Sequence, residues 1–181
     1  MGFNIRWIGA QDLPIHEAAS WMGLSLREGE NTVPEFPISV CETPNGWGVF
    51  YFNHADQAEP AHRQFLQQSG STPSVMVSAS ESTMTSFAAA YDETGRQLWS
   101  LFYPVKAQWS DVVEVGGTLP DNARAVIENA YARQYPGEEN TYDVAYLWDV
   151  PIEIAKGVTL FRHDEPKVDG QPLVWREAVS I

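Results

Sequence analysis

Several small groups of side chains have the types that chemistry needs. His54, Asp56, Glu59 and His62 offer imidazole and carboxylate ligands of the kind a divalent cation takes. Their spacing straddles a connector and the start of a helix, so a solvated polar loop with a capping acid is the simpler reading. His163, Asp164 and Glu165 follow a helix, where a His beside carboxylates could act as a general base. Sequence neighbours seldom converge on one substrate, and a His at that place also complements the helix dipole. Ser78, Ser80 and Ser82 share one face of a strand. A serine nucleophile needs a base and an oxyanion hole, and neither is recognisable, so they read as polar decoration of a sheet. Cys41 lies beside a hairpin with no local His or helix N-terminus to make a thiolate, and reads as a small core residue. Asp149 and Glu153, with Lys156 next along the helix, form an acid pair with a cation, or simply negative charge at a helix start plus an i,i+3 ion pair.

The chain contains no Walker A loop, dinucleotide-binding glycine fingerprint, His-Glu-x-x-His, EF-hand loop or Gly-x-Ser-x-Gly elbow. The sequence therefore assigns no catalytic, metal-binding or cofactor-binding residue, and no cofactor.

The elements that would position these groups centre on residues 75–103, which alternate over 75–80, 83–91 and 98–103. Asp92-Glu93-Thr94-Gly95 closes the last two runs as a type I turn with a left-handed Gly. Met84, Ser86, Ala88 and Ala90 make a small-residue face, which predicts a seat for the helix over 120–134. Phe87, Tyr91, Trp99 and Tyr103 are either core or recognition surface. A second hairpin joins 38–42 to 47–53 through Thr43-Pro44-Asn45-Gly46. Residues 3–7 predict a strand broken at Gly9, 112–115 and 142–148 further strands, and 173–175 an edge strand. Helices are predicted from Pro14 to Met22, over 60–69 after a polar connector at 54–59, over 120–134, and from Asp149 to about Thr159. The loop at 27–37 is polar and acidic. Together these predict a single α+β domain over residues 1–181, with a mainly antiparallel sheet of hairpins and meander and about four helices.

Charge bounds the partners. Of 181 residues, 44% are hydrophobic, so a packed core is expected, but 24 Asp+Glu face 11 Lys+Arg for a net charge of -13. That surface repels a phosphate backbone, which argues against nucleic acid, and draws in a basic partner. Aromatic content of 12%, with seven Trp, suits a core or interface anchors. A single Cys permits no intrachain disulfide. The start of the sequence lacks a basic region followed by an apolar run, and no apolar stretch approaches a membrane span. The expectation is a cytoplasmic protein with no membrane partner.

Residues 143–156, continuing to 161–164, and the segment Ala-Ala-Tyr-Asp-x-x-Gly-Arg-x-Leu-Trp at 89–99 resemble a pattern shared by small uncharacterised bacterial proteins. That family has no assigned activity and transfers no site residue. The profile is also similar to immunity proteins of bacterial toxin systems: small, acidic, aromatic-rich and without enzyme motifs. The resemblance implies a non-enzymatic protein that neutralises a basic toxin by covering its active site; the positions of Glu28, Glu30, Glu35, Glu138 and Glu139 in polar loops make them the expected contact acids. The alternative is a small-molecule enzyme or ligand carrier with a pocket near the last helix, for which His163, Asp164 and Lys156 are the candidates.

Overall fold

The computed structural model describes residues 4–68, 72–104, 113–135, 145–165 and 167–181. In chain order the elements are β1 (Asn4–Gln11), α1 (Ile15–Trp21), β2 (Leu24–Leu26), β3 (Ile38–Glu42), β4 (Trp47–Phe52), α2 (Ala55–Gln68), β5 (Ser74–Ser80), β6 (Thr85–Tyr91), β7 (Gln97–Tyr103), β8 (Glu114–Gly117), α3 (Ala123–Gln134), α4 (Tyr146–Thr159), β9 (Lys167–Val168), β10 (Gln171–Pro172) and β11 (Arg176–Ser180). The strands build a nine-stranded sheet in the order β2-β11-β3-β4-β1-β5-β6-β7-β8, antiparallel throughout, with β9 and β10 as a separate small hairpin. The α+β fold with helices on a large antiparallel sheet is thus the one expected.

Alternation along the strands sends apolar side chains to both faces. From β1 and β4, Trp7, Trp47, Val49 and Tyr51 join a core with α3 and α4. Ile8, Phe50 and Phe52 join a second core with α1 and α2. The middle of the sheet is therefore covered on both sides, and β4 is buried along its whole length, unlike the many antiparallel sheets that leave one face to water. The two predicted turns fix the register. Gly46 takes φ +82 and Gly95 φ +77, conformations that glycine adopts without a Cβ penalty. The Asp92 carboxylate accepts from the Thr94 and Arg96 backbone N–H groups.

Several elements depart from the expected reading. The predicted strand over 142–148 is, from Tyr146, the first turn of α4, and residues 142–144 lie outside the described residues. Alternating aromatics there give way to the helical spacing of the buried Leu147, Val150 and Ile154. α2 starts at Ala55, so residues 55–59 are helix and not connector. The Ser86/Ala88/Ala90 face seats α4, and α3 packs on α4. Ser86 Oγ donates to the Trp148 carbonyl at 2.5 Å, and Trp148 Nε1 donates to the Thr85 carbonyl at 2.9 Å. Strand β1 continues through Gly9 to Gln11. The expected edge strand at 173–175 is replaced by β11, which lies inside the sheet between β2 and β3, and Trp175 makes an isolated bridge to Asn31.

Candidate functional site

The loop from β2 to β3 carries Glu28, Glu30 and Glu35, all exposed. Arg176 reaches Glu30 at 3.1 Å, and Asn31 Nδ2 donates to Glu35 at 3.1 Å. This loop borders a groove of about 360 Å³ between β3 and the segment leading into β11. Glu30, Glu42 and Arg176 supply its charge, and Pro44, Pro172 and Val174 supply apolar wall. Val174 is 49% exposed and Val33 on the nearby loop 38%, so the acids stand beside apolar surface that water still reaches. Glu138 and Glu139 lie outside the described residues. Cys41 also borders the groove, but its side chain is in the core, where burial and the neighbouring Glu42 push the thiol pKa far up. A thiol held protonated this way is no nucleophile.

The metal-like group does not converge. No cluster of His, Cys, Asp and Glu suited to a metal occurs among the described residues. His62 turns into the sheet, with its ring 4.9 Å from Tyr91 and its Nε2 3.5 Å from Ser74 Oγ. Burial lowers its pKa to about 4. Glu59 turns the other way and pairs with Arg6 and Arg63. The serines also part company: Ser78 accepts from Arg6 Nε at 3.2 Å, while Ser80 contacts Ser82 at the turn. Of the central aromatics, Trp99 and Tyr103 are core. Phe87 and Tyr91 are half-buried on the opposite face, where Phe102, paired with Phe87 across the sheet, is 36% exposed.

The last helix has a different arrangement. Arg162 follows α4 and lies at the centre of a ring of acids, with its side chain 14% exposed. It donates to Asp149 at 3.1 Å, to Asp164 at 2.6 Å and to Glu153. Asp149 and Glu153 are four apart on one helix face, so the fold brings both to the same guanidinium. Lys156 pairs with Glu165 at 2.6 Å. Burial raises the Asp149 pKa against the pull of Arg162, and Glu153 and Asp164 push the same way as burial. Tyr146, Asp149 and Glu153 of α4, with Arg162, line a cleft of about 210 Å³ between α3 and α4, and Arg133 lines it from α3. His163, Asp164 and Lys156 do not line this cleft. Burial lowers the His163 pKa despite the nearby Asp164. Of the three candidates of the enzyme alternative, Asp164 pairs with Arg162 and Lys156 with Glu165, beside the cleft and not in its lining.

Sequence reasoning missed Arg162, Arg133 and Tyr146. A legible signal existed for Arg162: acids at 149 and 153 share one helix face, and acids at 164 and 165 flank the Arg itself. Comparison with protein-family models, with curated proteins and with solved structures finds no match.

Proposed function

We propose that the chain is a non-enzymatic binding protein that takes a basic protein partner on the acidic loop and groove between β2, β3 and β11. The partner class that fits best is a basic toxin of a bacterial toxin system, held in the cytoplasm and neutralised by covering its active site. The supporting observation is that Glu30 and Glu42 line one groove with the half-exposed Val174, while Glu28 and Glu35 are exposed on the loop that carries Glu30. Exposed rim charge accelerates encounter with an oppositely charged surface, and apolar surface beside it holds the complex once formed. A net charge of -13 extends that attraction beyond the loop. Among the described residues no helix is long and apolar enough to cross a membrane.

The immobilised protein should capture one basic protein from cells of its source at about 50 mM salt and release it at about 500 mM, where charge is screened within a few ångström. The variant E28Q/E30Q/E35Q should associate more slowly with it. Expressed alone, the captured partner should arrest growth, and co-expression should relieve the arrest. Absence of a specific partner, or capture indifferent to salt, would count against the proposal.

A further inference from the structure

We propose that the cleft between α3 and α4 is a second binding site, built for a small zwitterionic amine of amino-acid size. Its ammonium group is held by Asp149 and Glu153, and its carboxylate by Arg133. The site is separate from the acidic groove and does not depend on the function assigned there.

The cleft has walls of opposite sign. On the α4 side, Asp149 and Glu153 are 35% and 36% exposed, whereas the arginine they share is 14% exposed. All three line the cleft, and the acids are its more exposed members. Arg162 also has its Nε, Nη1 and Nη2 engaged with Asp149, Glu153 and Asp164. It is committed to those acids and offers little to an incoming carboxylate. Burial holds the Asp149 pKa up against the pull of Arg162, and the neighbouring Glu153 and Asp164 add to that rise.

On the α3 side, Arg133 lies with its guanidinium carbon 4.1 Å from the centre of the Tyr146 ring. A stacked guanidinium is held in place while its N–H groups stay free to donate. It has no ion pair among the described residues, although the chain carries more than two acids per cation. Val126, Ala130 and Val150 provide an apolar floor between the charged walls. The volume of about 210 Å³ lies below the range of roughly 300–1,000 Å³ typical of drug-sized ligands. A simple diamine would meet Arg133, and a simple fatty acid would meet Asp149 and Glu153. A molecule with one charge of each sign satisfies both walls.

Calorimetric titration of the full chain with 5-aminopentanoate, 6-aminohexanoate, 1,5-diaminopentane and hexanoate tests this. At least one of the two zwitterions should bind about tenfold more tightly than the diamine and the fatty acid, since each of these loses a charge-assisted contact. Arg133→Gln touches no part of the Arg162 network and should keep the fold while weakening the zwitterion about tenfold. Glu153→Gln, which lies inside the Arg162 network, should also weaken the zwitterion, and its unfolding curve checks that the fold is kept. Binding should weaken as pH falls into the carboxylate range, because protonated Asp149 no longer attracts the ammonium. No heat with either zwitterion, equal binding of the diamine or hexanoate, or an Arg133→Gln variant that binds unchanged would each overturn the proposal.

Discussion

The groove beside β11 and the network around Arg162 draw on the same excess of acid and use it in opposite ways. At the groove, Glu28, Glu30 and Glu35 are exposed on a loop and Arg176 pairs with Glu30 alone. At α4, Asp149, Glu153 and Asp164 all close on one largely buried guanidinium. Exposed pairs contribute little to stability because water screens them and side-chain entropy opposes them. An enclosed arginine among carboxylates is different: its removal strands several partly desolvated negative charges together. Negative charge in this protein is therefore a structural element on one side of the molecule and a free surface on the other.

Arg162→Met should separate the two most sharply. We expect a loss of about 4 kcal/mol in urea unfolding, the order seen when one partner of an enclosed ion pair is removed. A loss under about 1 kcal/mol would mean that the network behaves like an ordinary surface pair. His62, on the other face of the sheet, sets the acid limit against which both regions must be measured. Its folded pKa of about 4 lies below the ordinary 6.5, so the unfolded chain binds the proton more tightly. Stability from this group is full above pH 6.5 and declines as pH falls toward about 4, by up to about 3 kcal/mol. Unfolding followed against pH should show that slope, and His62→Gln should flatten it. Ser86→Ala removes the hydroxyl that donates to the Trp148 carbonyl under α4 and should cost about 1 kcal/mol. The smallest effect belongs to the groove: E28Q/E30Q/E35Q should alter stability by no more than about 0.5 kcal/mol. A larger change there would show that the loop acids hold the fold and are not free for a partner.

The strands were legible where their turns were. Asn45-Gly46 and Asp92 to Gly95 each demand a backbone that only a hairpin supplies, and the runs flanking them pair as expected. Helix starts were less legible for one repeated reason. Pro60 and Pro151 suggest a first turn, where a missing N–H costs nothing. In the structure each lies inside its helix, which begins with Ala55 or Tyr146. Burial of Ala55 and Ala58 in one case, and of Leu147 and Val150 in the other, outweighs the one backbone bond that proline forfeits. The choice between α3 and α4 as the helix seated on β6 was not available from local pattern, because both carry an apolar face and only tertiary packing decides which faces the sheet. The exposure of Glu28, Glu30 and Glu35 was legible because a Pro-rich polar loop must run over the surface. Their apolar neighbour Val174 was not, since it comes from the far end of the chain.

The ring of Phe161 gives this molecule an optical gauge of its own state. Trp7 and Trp175 both set their indoles against it, at 5.2 and 5.7 Å between ring centres, and both are shut off from water. Tyr51 touches the same ring at 6.4 Å. The chain between Phe161 and Trp175 runs from the Arg162 network, which borders the α3–α4 cleft, to the wall of the groove. Emission from these indoles should be blue-shifted in the resting protein and should change in intensity when the segment moves. Titration of each place in unlabelled protein, with emission compared between the natural chain and Trp175→Phe, checks whether binding reaches this cluster.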